Sequence, residues 1–216
     1  MMYRCLALML LALPAWAQIA TARLPLPLDG TPEALGFETP GPTASVLTGF
    51  LWPSGGPLTA WAPVFSSFGA DGSLTEVLVG RWTGPVPGKW LKVVKPGWVV
   101  GGFRVLMKTA PGTPQVRQIQ VFWKPWKDGE PEERVVESQV YGSPAGPQDQ
   151  VRIIELRVPP GAVPTGLYGQ TLRGVVTQAS LLVRLPEPKA SQPPSAPAAA
   201  PRGPQAPRAP TVSTPF

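Results

Sequence analysis

The sequence predicts an all-β protein, an antiparallel β-sandwich followed by a disordered Pro/Ala-rich C-terminal tail. Three observations predict it. No 11-residue window between Arg23 and Pro186 carries a 3.6-residue apolar period, and 31 prolines and 23 glycines interrupt the chain too often for long helices. Short runs rich in Val, Ile, Leu, Phe and Trp alternate with turn residues at intervals of roughly 8–17 residues. Beyond Pro186 the composition changes abruptly to Pro, Ala and Ser.

Residues 1–17 read as a signal peptide. Arg4 and the α-amino group give a positive start, and Cys5 to Leu13 is an unbroken apolar run. Ala15-Trp16-Ala17 has the small-x-small form of a cleavage site. A bilayer span needs about 20 apolar residues, so no transmembrane span is expected in the mature chain. The expected location is secreted, or periplasmic at the cell envelope, after cleavage near Ala17. Cys5 is the only cysteine and leaves with the leader, so burial alone must hold the mature domain together.

Residues 18–72 are expected to form an irregular segment packing on the sandwich. Their strand candidates, 22–28 (ARLPLPL) and 44–52 (ASVLTGFLW), are weak. The sandwich itself is expected over 73–186. Its strands are read at 73–82 (SLTEVLVGRW), 89–94 (KWLKVV), 97–108 (GWVVGGFRVLMK), 116–124 (VRQIQVFWK), 134–142 (RVVESQVYG), 150–158 (QVRIIELRV) and 180–185 (SLLVRL). Turn chemistry separates them: Gly84-Pro85, Pro111-Gly112, Asp128-Gly129 and Pro159-Pro160-Gly161.

Successive side chains of a strand alternate between faces. Parity therefore places Val99, Phe103, Val105 and Met107 toward the core, and Trp98, Val100, Arg104, Leu106 and Lys108 on the other face. Gly101-Gly102 interrupts that strand and predicts a bulge or a close backbone approach. In 116–124, Ile119, Val121 and Trp123 take the core parity. Phe122 alternates with glutamines and is expected to be the exposed ring. Trp126 follows Pro125, where parity ends, and its direction is left open.

The tail, 187–216, has too little to bury to offset the entropy of ordering, and its prolines favour an extended spacer. It is read either as a tether or as a solvated extension.

Within 151–185, Pro159-Pro160-Gly161 is a turn, Gly166-Leu167-Tyr168 opens a strand and 180–185 closes the domain. This order resembles the closing strands of bacterial immunoglobulin-like surface domains. The resemblance implies an immunoglobulin-like sandwich and no particular activity. The chain departs from the antibody-type pattern because it has no cysteine pair.

The chemistry open to the chain is narrow. It contains no histidine, the commonest general base and metal ligand. Loss of Cys5 removes thiol chemistry, and no P-loop or dinucleotide fingerprint occurs. Asp128, Glu130, Glu132 and Glu133 cluster at a turn, where a solvated loop outweighs a catalytic pair or a Ca²⁺ site. No metal and no cofactor is expected. Without Arg4 the chain carries 18 basic against 13 acidic residues. That excess fits anionic partners, but no run of five basic residues and no nucleic-acid motif occurs, which argues against nucleic acid.

Seven tryptophans remain once Trp16 has left with the leader. They serve either as core ballast or as surface rings that stack on sugars and anchor interfaces. The candidate ligand-binding residues pair a ring with nearby cations: Trp98 with Arg104, and Phe122 and Trp126 with Lys124 and Lys127. The sequence thus points to an exported, non-catalytic binding or structural protein of the envelope. Its expected partner is an envelope polysaccharide, another envelope component or a surface protein. Two alternatives stay open: an extracytoplasmic carboxylate-dependent hydrolase, and an accessory subunit of a secretion, pilus or DNA-uptake apparatus.

Overall fold

The computed structural model describes residues 21–25, 33–54 and 58–186. The leader with Cys5, and the tail at 187–216, lie outside the described residues. The all-β reading holds, but the sandwich does not: the strands form three sheets in place of two.

Thirteen strands are described. They are β1 (Thr21–Arg23), β2 (Leu35–Pro40), β3 (Ser45–Pro53), β4 (Ala62–Phe68), β5 (Leu74–Val79), β6 (Trp90–Val94), β7 (Trp98–Ala110), β8 (Gln115–Lys127), β9 (Glu130–Pro131), β10 (Val136–Gly142), β11 (Gln150–Arg157), β12 (Val163–Leu172) and β13 (Val175–Arg184). Sheet A has the order β1-β13-β12-β2, sheet B β5-β4-β3-β6, and sheet C β10-β8-β7-β11 with β9 beside β8. All pairings are antiparallel. The boundary expected at residue 72 has no counterpart in the sheets. Residues 18–72 supply β1 to β4, and β3 and β4 are the central strands of sheet B.

One spatial order recurs in all three sheets. In sheet B, β3, β4 and β5 run as a meander and β6 returns beside β3, a Greek key. Sheet C repeats it with β7, β8, β10 and β11. Sheet A reaches the same order by drawing on both ends of the domain: β12 and β13 form the hairpin, while β1 and β2 flank it.

Each sheet carries the same local device. One central strand has a register shift that ends at a glycine: Gly49 in β3, Gly102 in β7 and Gly166 in β12. A Cβ at these positions would lie 2.2 Å from Val93 O, 2.2 Å from Leu156 O and 2.6 Å from Thr39 O. Each of those carbonyls belongs to the edge strand on that side, β6, β11 or β2, so the glycine admits that strand. The residue after each glycine, Phe50, Phe103 or Leu167, is buried in the main core. The sequence motif is short: Thr48-Gly49-Phe50, Gly101-Gly102-Phe103 and Thr165-Gly166-Leu167.

The core lies where the inner faces of the three sheets meet. Phe50 touches Trp52, Trp61 and Phe103 with ring centroids 5.9, 5.7 and 6.4 Å apart. Ile119, Val121 and Trp123 enter the same cluster, as their parity predicts. The bulge at Gly101-Gly102 also occurs, and it changes the parity before it. Val100 joins the main core, whereas Val99 joins a second cluster with Val46 and Val163.

Candidate functional site

The six sequence-selected residues separate into two places. Arg104 and Phe122 lie on the outer face of sheet C. Trp98, Lys124, Trp126 and Lys127 lie at one end of that sheet.

On the outer face, Phe122 is fully buried, which corrects its reading as the exposed ring. Two guanidiniums cover it: Arg157 at 4.3 Å and Arg104 at 5.3 Å from the ring centroid. Glu155 ties the pair together. Arg104 donates from Nε (2.9 Å) and Nη2 (2.8 Å) to Glu155 Oε2, and Arg157 Nε donates to Oε1 (2.7 Å). Arg104 also donates to Gln120 Oε1 and lies 3.5 Å from Glu137. Parity correctly turns Phe122 away from the core, but Arg157 is 35 positions along the chain and parity says nothing of it.

Hydrogen bonds from Arg157 and then Arg104 hold the Glu155 carboxyl below the usual carboxylate range. Asp149 is lowered likewise by Lys108 and by the Gly146 N–H. A depressed folded-state pKa contributes stability above the unfolded value and loses it as pH falls through the folded value. Unfolding midpoints should therefore be flat near neutrality and decline below about pH 4. Glu155→Gln should shrink that acid-side decline, measured by urea unfolding across pH.

At the end of sheet C three turns meet. Asp128 and Gly129, with φ of 52° and 84°, make the two-residue turn between β8 and β9, with Lys127 opposite Glu130. In the turn before β5, Asp71 Oδ1 accepts from the Ser73 amide and hydroxyl, which lowers its pKa. A Cβ on Gly72 would lie 3.2 Å from Gly129 N, so these two turns touch. Trp126 joins them to the third turn, at residues 95–98. Its amide donates to Gly97 O (2.9 Å), its indole N–H donates to Gly72 O (2.7 Å), and its ring stacks on Phe68.

Trp98 is half-buried beside this junction. Its cations are Lys95, 4.0 Å from the ring centroid, and Arg134 at 5.1 Å, in place of the expected Arg104. Lys124 is buried, against its reading as a surface cation. Its stem covers Gly101, and its ammonium sits 3.8 Å from Glu133. Lys127 and Asp128 are exposed. The Asp128–Glu133 segment starts with the hairpin turn between β8 and β9.

One exposed ring escaped the sequence reading. Trp90 on β6 is 51% exposed, and its outward direction follows from alternation with the buried Val93.

No family model and no curated protein matches the sequence. Solved structures do. The artocarpin–mannotriose complex matches at a TM-score of 0.52 with 14% identity, over 76% of this chain and 98% of that one. The mannose-binding lectin from Champedak matches at 0.50 with 14% identity, over 76% and 97%. A single-chain recombinant jacalin matches at 0.50 with 12% identity, over 77% and 95%. These matches overturn the immunoglobulin-like resemblance of 151–185. That segment supplies β11, an edge strand of sheet C, and the central β12–β13 hairpin of sheet A. At such identities the likeness speaks for the fold alone: the chain has the three-sheet β-prism architecture of the jacalin-like lectins.

Proposed function

We propose that the protein is a non-catalytic carbohydrate-binding protein of the cell envelope, with the turn junction around Trp98 and Trp126 as its contact surface. The observation that carries this reading is the β-prism architecture shared with artocarpin, whose structure was solved with mannotriose. The chemistry of the junction supports it. Indole rings present flat apolar surface to the C–H face of a sugar. The exposed Lys127, Asp128 and Glu130 offer donors and acceptors for hydroxyls at fixed positions, because positive-φ turns hold the backbone that carries them.

Tryptophan fluorescence should change on titration with mannotriose or with envelope polysaccharide. Asp128→Ala and Trp98→Ala should each weaken that response about tenfold, the loss of one or two hydrogen bonds or a stacked ring. Glycan turnover by the purified protein, or undiminished binding in both variants, would refute the proposal.

A further inference from the structure

The outer faces of the three sheets differ in kind. Sheet C carries the Arg104–Glu155–Arg157 network, in which each charge is answered by another. Sheet A carries polar groups that are also satisfied. Ser180 donates to Leu24 O, Tyr168 donates to the same carbonyl, and Arg23 pairs with Glu38.

Sheet C also exposes Val140, Val151 and Ile153, but on strands where Glu137, Glu155 and Arg157 are paired, whereas sheet B combines exposed apolar side chains with cations that have no ion pair among the described residues. On β6 the alternation turns Val93 into the core and leaves Trp90, Lys92 and Val94 outward. Register places Val94 beside Gly49, Gly49 beside Val64 and Val64 beside Val79, so one row of the outer face runs from edge to edge. Leu51, Ala62 and Val64 form a small cluster on this face with Trp82 packed against it. Around it Val77, Val79 and Trp90 are each at least half exposed. Trp82 packs on the buried middle of this face, and the apolar side chains of its two edges, Val77 and Val79 on β5 and Trp90 and Val94 on β6, stay exposed.

Its charge is one-sided. From Val77 to Lys127 the sequence has nine basic residues and no acidic one. Acids from later in the chain answer three of the cations, Glu155 for Arg104, Asp149 for Lys108 and Glu133 for Lys124, while Lys95 lies over the Trp98 ring and Arg117 donates to Pro144 O. Arg81, Lys89 and Lys92, which border the apolar face, have no ion pair among the described residues.

We infer that the outer face of sheet B docks onto the surface of an anionic lipid bilayer. Tryptophan and valine enter the headgroup–acyl boundary, and unpaired lysine and arginine meet the lipid phosphates. Charge complementarity selects this occupant. A second copy across a two-fold axis would oppose Lys89, Lys92 and Arg81 to the same residues. A polysaccharide would answer the lysines but offer nothing apolar to four exposed valines, Val77, Val79, Val86 and Val94. The face is distinct from the turn junction and does not rest on the carbohydrate reading.

The test is co-sedimentation of the full chain with phosphatidylcholine vesicles, with and without phosphatidylglycerol. The parent should bind the anionic vesicles more tightly, and added salt should weaken the difference. Lys89→Ala/Lys92→Ala should lose about fivefold in partitioning per lysine. Trp90→Ala should weaken binding and abolish part of the blue shift in tryptophan emission. Trp90 and both lysines are exposed, so unchanged circular dichroism is expected in every variant. Equal partitioning of parent and variants, or no preference for phosphatidylglycerol, would overturn the inference. Binding to soluble polyglutamate that matches vesicle binding and ignores Trp90→Ala would assign the face to an acidic polypeptide and overturn it equally.

Discussion

Phe50→Ala is expected to lower the free energy of unfolding by about 3–5 kcal/mol. Phe50 is fully buried and its ring meets Trp52, Trp61 and Phe103. Truncation removes the transfer energy of the ring and leaves a cavity walled by three rigid aromatics, which have little freedom to collapse into it. It also removes three aromatic contacts, each worth about 0.5–1.5 kcal/mol beyond area. Phe50→Leu keeps most of the volume and should cost markedly less. Urea unfolding followed by tryptophan fluorescence reads both. A loss under 1.5 kcal/mol for the alanine variant, the range of volume-conserving swaps, would mean that this cluster is not the centre of the core.

Gly102→Ala is the second large effect. Gly102 has φ of 139°, a region that costs an L-residue about 1–3 kcal/mol. The new Cβ would stand 2.2 Å from Leu156 O and 2.9 Å from Arg157 Cα, atoms of backbone that have no rotamer to yield. Overpacking adds about 1–3 kcal/mol, so roughly 2–6 kcal/mol should be lost in all. The damage has an address: β11 must move away from β7, and its amides should exchange faster with solvent. Gly88→Ala is the control, because a Cβ there meets nothing within 4 Å. It should stay within about 0.5 kcal/mol of the parent. Slow exchange at β11 in a stable Gly102→Ala would contradict the proposed close approach.

The strand content was largely legible because it rests on local chemistry. β5, β6, β10 and β11 lie within the runs chosen by alternation and turn residues, and β7 and β8 extend past theirs. β2 and β4 were missed for a physical reason. LGFETP and APVFSSF each carry a proline and are short of continuous aliphatic pattern, and their pairing with β12 and β3 makes them strands. The number of sheets was not readable in the runs themselves. Two-sheet and three-sheet packings demand the same inward alternation, and long-range register decides between them. The thrice-repeated glycine before a large apolar residue was the available clue. It goes unread when each glycine is taken as a local breaker and the three are not compared.

The candidate site was legible in composition and misread in geometry. Trp98 stands beside cations, but they are Lys95 and Arg134, brought there by turns, and Trp126 stacks on Phe68. Alternation puts Phe122 and Lys124 on the face of Gln118 and Gln120 and so points them to the surface. Two arginines and a bulged backbone cover them.

The split origin of sheet A sets a timetable for folding. Sheets B and C are drawn from continuous stretches, so each can close as soon as its own residues are available. Sheet A must wait, because β1 has no partner until β13 exists. Its hydrogen bonds span the greatest distances along the chain, such as that from Ser180 to Leu24 across 156 positions. Such remote contacts are entropically slow to find. The last contact to form is thus the one that joins the first strand to the final hairpin. Until it forms, two completed sheets hold an open seam along their shared apolar interior. A chain emerging vectorially from a ribosome or a membrane pore would keep that seam open until its final hairpin is free.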